Sequence, residues 1–579
     1  MVNGIELCNQ RARLLTATGN ILVEGGPGSG KTTIALLKAK KIIESSELLA
    51  GQKVLFLSFA RATTSRVLEQ ARNIAGTTVL DSVEVNTYHG FCWTLIKTYG
   101  YLINGQRNTT IITPADVANL LANFNGKENH AAELRRLYFE EGKIGFDLFA
   151  TIAGELLSRS KRIRSIVCSC YPVLIVDEFQ DTNDDEWKIV STLGSVSKIV
   201  ALADPEQRIY DFRGSDPSRI SEFRSIFLPH EFHFERQNYR SGETDIVEFG
   251  DRVLSGRVDH YEFDNVEVVY YANKRPLFSE LNYKVIQSVR RLSKNNSSSW
   301  SIAILVKTQA MMLKISRALS SPVGSLPTVN HEVLVDPMGP ALSANIIADL
   351  LDSEDDAASN LDRLLNNLVK YLRGCKGSKP TQQNLKLADA FSAYLSSGGT
   401  LRGRNRLKTL ESGRIIVGMC SKLEFSGVPA DDWLAVRNVL KEVANDTWTK
   451  VYNDAKYISL LRKGKRLAQD LGLAWRENGC YKGARLLVQK ALEQEYFEAP
   501  QRYWKGVYVM TMHKSKGKEF DEVFLVEDTY GSRFFRDFHD QGQFKSDAYV
   551  LRVGVTRAKQ KVTILTPRHS YCNLLGPPR

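Results

Sequence analysis

The octet Gly25-Gly26-Pro27-Gly28-Ser29-Gly30-Lys31-Thr32 lies between the apolar run Ile21-Leu22-Val23 and the helix-favouring stretch Thr33-Ile34-Ala35-Leu36-Leu37-Lys38-Ala39-Lys40. Strand, glycine-rich turn and helix in that order constrain the chain more than any other feature, because together they build a phosphate cradle at the start of an α/β unit. Successive backbone N–H groups of such a turn point at phosphate oxygens, and the helix N-terminus adds positive potential. Lys31 supplies a cation, the Thr32 hydroxyl can ligate Mg²⁺, and Thr33 continues the first turn of the helix. A nucleoside triphosphate is the expected ligand.

At 579 residues the chain implies three or four domains, since single cores stop growing at roughly 250 to 300 residues. A hydrophobic content of 43% and a charged content of 25% are ordinary globular values, and nothing in them requires fibrous or disordered structure. The formal charge of +12 suits a polyanionic partner such as nucleic acid, although solubility and loose association account for it equally. The eight cysteines are scattered, and Cys168-Ser169-Cys170 has no second pair at metal-ligand spacing, so reduced thiols are expected. There is no basic-then-apolar leader and no apolar stretch near the roughly 20 residues of a membrane helix. A cytoplasmic protein with no membrane partner is the expectation.

Further short apolar runs, at 53–58, 172–177 and 198–204, read as strands buried on both faces of a parallel sheet. A second set, at 266–270, 301–306, 507–510, 522–526 and 561–565, predicts a second α/β domain. Helical patterns interrupt both sets, at 115–123, 131–141 and 148–158 and again at 341–351, 361–372 and 433–443. The implied division is 1–95 with 166–245, a helical insertion 96–165, 246–339 with 501–579, and a basic helical insertion 340–500. Arg363, Lys370, Arg373, Lys376, Lys379, Lys386, Arg402, Arg404, Arg406, Lys408 and Arg414 face few acids there. A solvated helical surface and a patch for a nucleic-acid backbone explain them equally well.

Asp177-Glu178 follow the apolar run Val173-Leu174-Ile175-Val176, which puts both acids at a strand's carboxyl end, where α/β proteins bind ligands. Asp177 suits a Mg²⁺ ligand and Glu178 a base that orients and deprotonates water. An acidic pair opening a helix also has a capping explanation.

Asp177-Glu178-Phe179-Gln180-Asp181-Thr182, taken with Gly25 to Thr32, resembles the UvrD/Rep branch of superfamily 1 helicases, and the rest of that family's motifs follow in order. Gln10 in Cys8-Asn9-Gln10-Arg11 resembles the adenine-reading glutamine. Ser58-Phe59-Ala60-Arg61-Ala62 and Thr87-Tyr88-His89-Gly90-Phe91 resemble strand-contacting motifs, which implies DNA contacts for Phe59, Thr87 and His89. In the segment from Ala203 to Gly214 the resemblance implies that Gln207 senses the γ-phosphate and that Tyr210 and Phe212 meet the bases. Gln237-Asn238-Tyr239-Arg240-Ser241 implies Tyr239 against adenine and Arg240 on the γ-phosphate. Thr511 to Phe520 implies Glu519 near the ribose and His513 near the DNA, and Val553 to Lys559 implies Arg557 as the arginine finger. Ala60 to Thr64, Ala203, Phe212, Lys518 and Gly554 depart from the family's usual residues, but none removes a catalytic group.

The resemblance implies two RecA-like parallel-sheet P-loop domains, each with a mainly helical insertion, and an ATP-dependent helicase or translocase moving 3′ to 5′ on single-stranded or partly duplex DNA. Phosphoryl transfer needs cations about the γ-phosphate, which Lys31, Arg240, Arg557 and Mg²⁺ supply from separate segments. Residues 340–500 are a candidate contact region for protein partners, and no nuclease activity is expected. The alternative is a nucleotide-gated DNA-binding ATPase subunit of a larger complex. A small-molecule P-loop kinase would explain Lys31 but leaves Gln207, Arg557 and the base-stacking aromatics without a role.

Overall fold

The structure is a computed structural model. It describes residues 8–45, 47–59, 64, 67–72, 81–106, 108–121, 127–205, 216, 218–234, 244–256, 258–272, 276–295, 300–322, 324, 326–335, 338–352, 356–375, 380–398, 400–456, 466–497, 504–535 and 540–578. The chain forms two compact units, one of Met1–Cys92, Ala153–Leu334 and Ala499–Arg579, the other of Trp93–Ile152 and Val335–Glu498.

In chain order the strands are β1 (Ile21–Gly25), β2 (Val54–Ser58), β3 (Val83–Thr87), β4 (Thr110–Ile112), β5 (Lys143–Gly145), β6 (Val173–Val176) and β7 (Lys198–Ala203). They continue as β8 (His230–Phe234), β9 (Val266–Tyr271), β10 (Ser301–Val306), β11 (His331–Val333), β12 (Gly506–Thr511), β13 (Phe520–Val526) and β14 (Ala558–Pro567). The first unit holds two six-stranded sheets, ordered β3-β2-β6-β7-β1-β8 and β11-β12-β10-β13-β14-β9. All their pairings are parallel, so the fold is α/β with two RecA-like sheets.

The apolar runs became strands, all of them inner except the edge strand β9, and β2, β6 and β10 are buried along their whole length, as strands covered on both faces must be. β3 (Val-Glu-Val-Asn-Thr), β8 (His-Glu-Phe-His-Phe) and β11 (His-Glu-Val) were not anticipated. They are edge strands, paired on one side only, so they alternate polar with apolar residues instead of running apolar. A charged network holds β8 in place: Arg224 donates to Glu24 and Glu231 at 3.0 Å each, and His233 Nδ1 lies 3.0 Å from Glu24.

The helix Lys31–Glu44 buries Ile34, Ala35, Leu36, Leu37 and Ala39 under the first sheet. Its buried Lys38 donates to the carbonyls of Leu15 and Ala17 at 2.9 and 2.7 Å, satisfying the end of the helix Asn9–Thr16.

The second unit is helical apart from the pair β4-β5. Trp448 is fully buried among Leu364, Ile416 and Val451, and its indole N–H donates to the Thr409 carbonyl at 3.1 Å. The helix Pro114–Leu121 packs on the helix Ala357–Gly374, so segments far apart in the sequence share one helical body. The sequence pattern predicts the first insertion over 96–165; the corresponding segment of this body is Trp93–Ile152. The helix Lys161–Cys170 belongs to the sheet unit, where buried Cys168 lies 3.7 Å from the Leu193 carbonyl. Among the described residues, no helix is long and apolar enough to cross a membrane.

Candidate nucleotide and nucleic-acid site

The glycine-rich loop leaves the carboxyl end of β1, between β7 and β8. Gly28 and Gly30 take φ of 74° and 82°, left-handed values that cost a side chain roughly 1–2 kcal/mol. A Cβ on Gly25 would lie 2.7 Å from Ser29 Oγ, which itself donates to the Gly26 carbonyl at 2.9 Å. Lys31 Nζ donates to the carbonyls of Gly25 and Gly26, the latter at 3.0 Å, so the ammonium lies over the loop. Pro27 is buried, and Thr32 and Thr33 are half-buried in the first turn of the helix.

Beneath the loop, buried Arg11 donates to the Ser29 carbonyl at 3.2 Å and stacks 4.8 Å from the centre of the Phe234 ring. A trans peptide points its C=O and N–H in opposite directions, so this bond turns the Gly30 N–H away from Arg11. Gln10, the next residue on the same helix, is exposed.

Asp177 and Glu178 follow β6, which pairs with β7, itself paired with β1. Asp177 is buried, and its N–H donates to the Leu57 carbonyl at 2.9 Å. Glu178 has φ 53° and ψ 39°, a left-handed non-glycine residue of the strained kind that concentrates at functional sites. Its side chain caps nothing; the following helix, Asp184–Gly194, is capped by Asn183 in a capping box with Glu186. The capping explanation for the acid pair is therefore not the one the fold uses.

Glu178 Oε2 accepts from Gln180 Nε2 at 2.6 Å, and Gln180 Oε1 accepts from the Asp204 N–H at 2.9 Å. From the second sheet, buried Lys516 pairs with buried Asp181 and lies 3.7 Å from Glu178 Oε2. Burial alone would raise the Glu178 pKa, but Lys516, Lys31, the Gln180 bond and Arg557 outweigh it and hold the carboxyl below its usual range. Cations from both sheets therefore act on one carboxylate.

Arg557 is buried immediately before β14, donating to the Val553 carbonyl at 2.9 Å and to Thr556 Oγ1 at 3.2 Å. Its carbonyl accepts from Phe520 N–H at 2.9 Å, which ties it to the start of β13 beside Glu519. The nearby Gly554 fits the local packing, since a Cβ there would lie 2.9 Å from Leu525 Cδ2 and 3.3 Å from Met512 Sδ.

Phe59 and Tyr88 follow the paired ends of β2 and β3, where Ser58 is opposite Thr87, and their rings sit 4.9 Å apart. Thr87 Oγ1 accepts from the Gly90 N–H at 3.0 Å, and His89 is half-buried on the next turn. His513 follows β12; burial and Lys307 lower its pKa, and Asp547 opposes them. Lys307 donates to Asp547 at 2.7 Å and to the Phe534 carbonyl at 2.9 Å. Gln207, Tyr210, Phe212, Tyr239 and Arg240, with Lys376 and Lys379, lie outside the described residues. Of the basic residues in 340–500, Arg363 donates to Asn360 and Arg373 pairs with Asp389 at 2.9 Å, while Arg402, Arg404, Lys408 and Arg414 are exposed.

Sequence reasoning passed over Lys516, Gln180 and Arg11. Each stands inside or beside a motif quoted for other residues, and that proximity was the available signal. Their long-range partners, Asp181 and Glu178 for Lys516, Asp204 for Gln180 and Ser29 for Arg11, come from segments that only the fold brings together.

The sequence model of the UvrD/REP helicase N-terminal domain matches residues 8–141 and 127–227, and that of the UvrD-like helicase C-terminal domain matches 445–569. The chain is 21% identical to the ATP-dependent DNA helicase PcrA of Staphylococcus aureus, over 96% of this chain and 82% of that protein. It is 21% identical to PcrA of Leuconostoc citreum, over 97% and 82%, and 22% identical to DNA helicase II of Escherichia coli, over 96% and 83%. With the phosphate loop, the acid pair and the buried arginine in their described positions, both terminal domain models matched and relatives aligned along nearly the whole length, the chain belongs to the UvrD/Rep helicase family.

Proposed function

We propose that this protein is an ATP-dependent DNA helicase or translocase that moves 3′ to 5′ along single-stranded DNA, in repair, replication, recombination or phage defence. The observation that carries the reading is Lys516, from the second sheet, lying 3.7 Å from Glu178 Oε2 on the first, where the charges of Lys31 and Arg557 also favour the ionised carboxylate. Hydrolysis at such a site responds to the relation between the two sheets, which is what a motor requires.

In this reading the backbone N–H groups from Gly25 to Thr33, Pro27 excepted, and the Lys31 ammonium hold the phosphates, while Gln10, Tyr239 and Glu519 take the adenosine. Glu178 orients and deprotonates the attacking water, Gln207 senses the γ-phosphate, and Arg240 and Arg557 face the charge that builds up there. Thr32, in the first turn of the loop's helix, and Asp177, just past the end of β6, would offer Mg²⁺ the oxygen donors it prefers. When bound, that ion would neutralise charge on the β- and γ-phosphate oxygens. Phe59, Thr87, His89, Tyr210, Phe212 and His513 contact the strand, aromatic rings stacking on bases.

The test is ATP turnover with single-stranded, duplex and forked DNA and with RNA, together with displacement of strands carrying a 3′ or a 5′ tail. DNA-stimulated turnover and displacement from the 3′-tailed substrate are expected. Turnover indifferent to DNA would overturn the motor reading. Stimulated turnover without displacement would instead favour the DNA-binding ATPase subunit.

A further inference from the structure

Gln180 is almost wholly buried in the turn Phe179–Asp181, and both ends of its amide are committed. Its NH₂ group donates to Glu178 Oε2 at 2.6 Å, and its carbonyl accepts from the Asp204 N–H at 2.9 Å. The two ends cannot be exchanged. A flipped amide would set an oxygen against a carboxylate and an NH₂ group against an N–H, so the chemistry of the neighbours alone assigns its orientation.

Glu178 sits on left-handed backbone, and Asp204 is the residue immediately after β7. Gln180 therefore spans neighbouring strand ends, joining a side chain after β6 to the main chain after β7. A short, buried, doubly bonded amide has little slack, so a shift of the Asp204 backbone is passed to the Glu178 carboxylate. Asp204 is separated from Gln207 only by Pro205 and Glu206.

We propose that Gln180 is a positioning residue that ties the main chain after β7 to the orientation of Glu178, so that the stimulation of turnover by DNA passes through this amide. The inference rests on the reading of Glu178 as the base. It assigns the DNA response of turnover to one amide within the first sheet.

The experiment compares the full chain with Gln180→Leu and Gln180→Glu, measuring ATP affinity and steady-state turnover with and without single-stranded oligothymidylate. Gln180→Leu removes both bonds, whereas Gln180→Glu keeps an acceptor for the Asp204 N–H and loses the donor to Glu178. Misplacing a reacting group by about 1 Å costs on the order of 100-fold. DNA-stimulated kcat should therefore fall by roughly 10- to 100-fold in both variants, with the KM for ATP within about 2-fold and the DNA stimulation factor reduced at least as much as basal turnover.

Glu178→Gln and the double variant Glu178→Gln/Gln180→Leu, followed in single turnovers, separate positioning from general damage. If Gln180 acts through Glu178, adding Gln180→Leu to Glu178→Gln lowers the residual rate no further; a merely structural role would lower it again. Wild-type stimulation in either single variant overturns the proposal, as does additive loss in the double variant. Should Gln180→Leu not fold, Gln180→Glu, close in volume, decides on the same criteria. If Glu178→Gln itself turns over normally, the base assignment has failed instead, which distinguishes the two failures.

Discussion

Replacing Lys516 with methionine tests the electrostatic link between the two sheets. The Lys516 side chain is 3% exposed and that of its partner Asp181 0%, so neither charge is solvated by bulk water. Opposite charges about 4 Å apart attract by roughly 4 kcal/mol at an effective dielectric of 20, against a desolvation cost of several kcal/mol per ion. The net worth of the pair is therefore small, but removing one partner leaves a buried carboxylate uncompensated, which costs about 3–5 kcal/mol. Lys516→Met should destabilise the protein by that amount. Asp181→Asn, which keeps an acceptor for the ammonium, should cost about 1–3 kcal/mol. The double variant should lose no more than Lys516→Met alone, giving a coupling of about 1–3 kcal/mol. Urea unfolding at pH 7.5, followed by tryptophan fluorescence, measures all four corners of the cycle. Losses that add to within about 0.5 kcal/mol would refute the electrostatic coupling of Lys516 to Asp181.

Three other perturbations have defined outcomes. Lys31→Ala should weaken ATP binding by about 10- to 100-fold through loss of a charge-assisted contact, whereas Glu178→Gln should bind ATP normally and turn over about 10²- to 10⁴-fold more slowly; calorimetry and phosphate release separate them, and equal effects on binding would sink the distinction. Gly30→Ala, at φ 82°, should cost about 1–2 kcal/mol of stability and weaken ATP binding with it; an unchanged melting temperature would contradict the strained turn. Burial pushes Asp349 up to about 6 despite Arg485 and Asn367. Because that lies above the unfolded value, the native state takes up a proton as pH falls from about 6 to 4 and gains stability there, up to about 3 kcal/mol. Asp349→Asn should flatten that slope between pH 4.5 and 7.5 in urea titrations, and an unaltered slope would show that another group titrates.

The inner strands were legible because burial on both faces imposes unbroken apolar runs, as at Val173–Val176 and Ser301–Val306. The edge strand His230–Phe234 was not, since its solvent-facing positions hold His and Glu and leave no such run. Helical pattern marked residues 341–351 and 361–372, but not that they would share a body with 114–121. Contacts between segments so far apart depend on which faces meet, and hydrophobic period alone does not say.

Local chemistry, by contrast, was written in the order of residues. A phosphate loop needs glycines at left-handed positions and a lysine next to them, and Gly28, Gly30 and Lys31 meet that need whatever the rest of the chain does. The sequence by itself thus determined the phosphate loop and the kind of ligand such a loop takes. Only the tertiary structure decided that Lys516 would reach Asp181 and Glu178 and that Gln180 would join Glu178 to Asp204. Such bonds require approach within a few ångströms, and between residues far apart in the chain the packing of the sheets sets that distance.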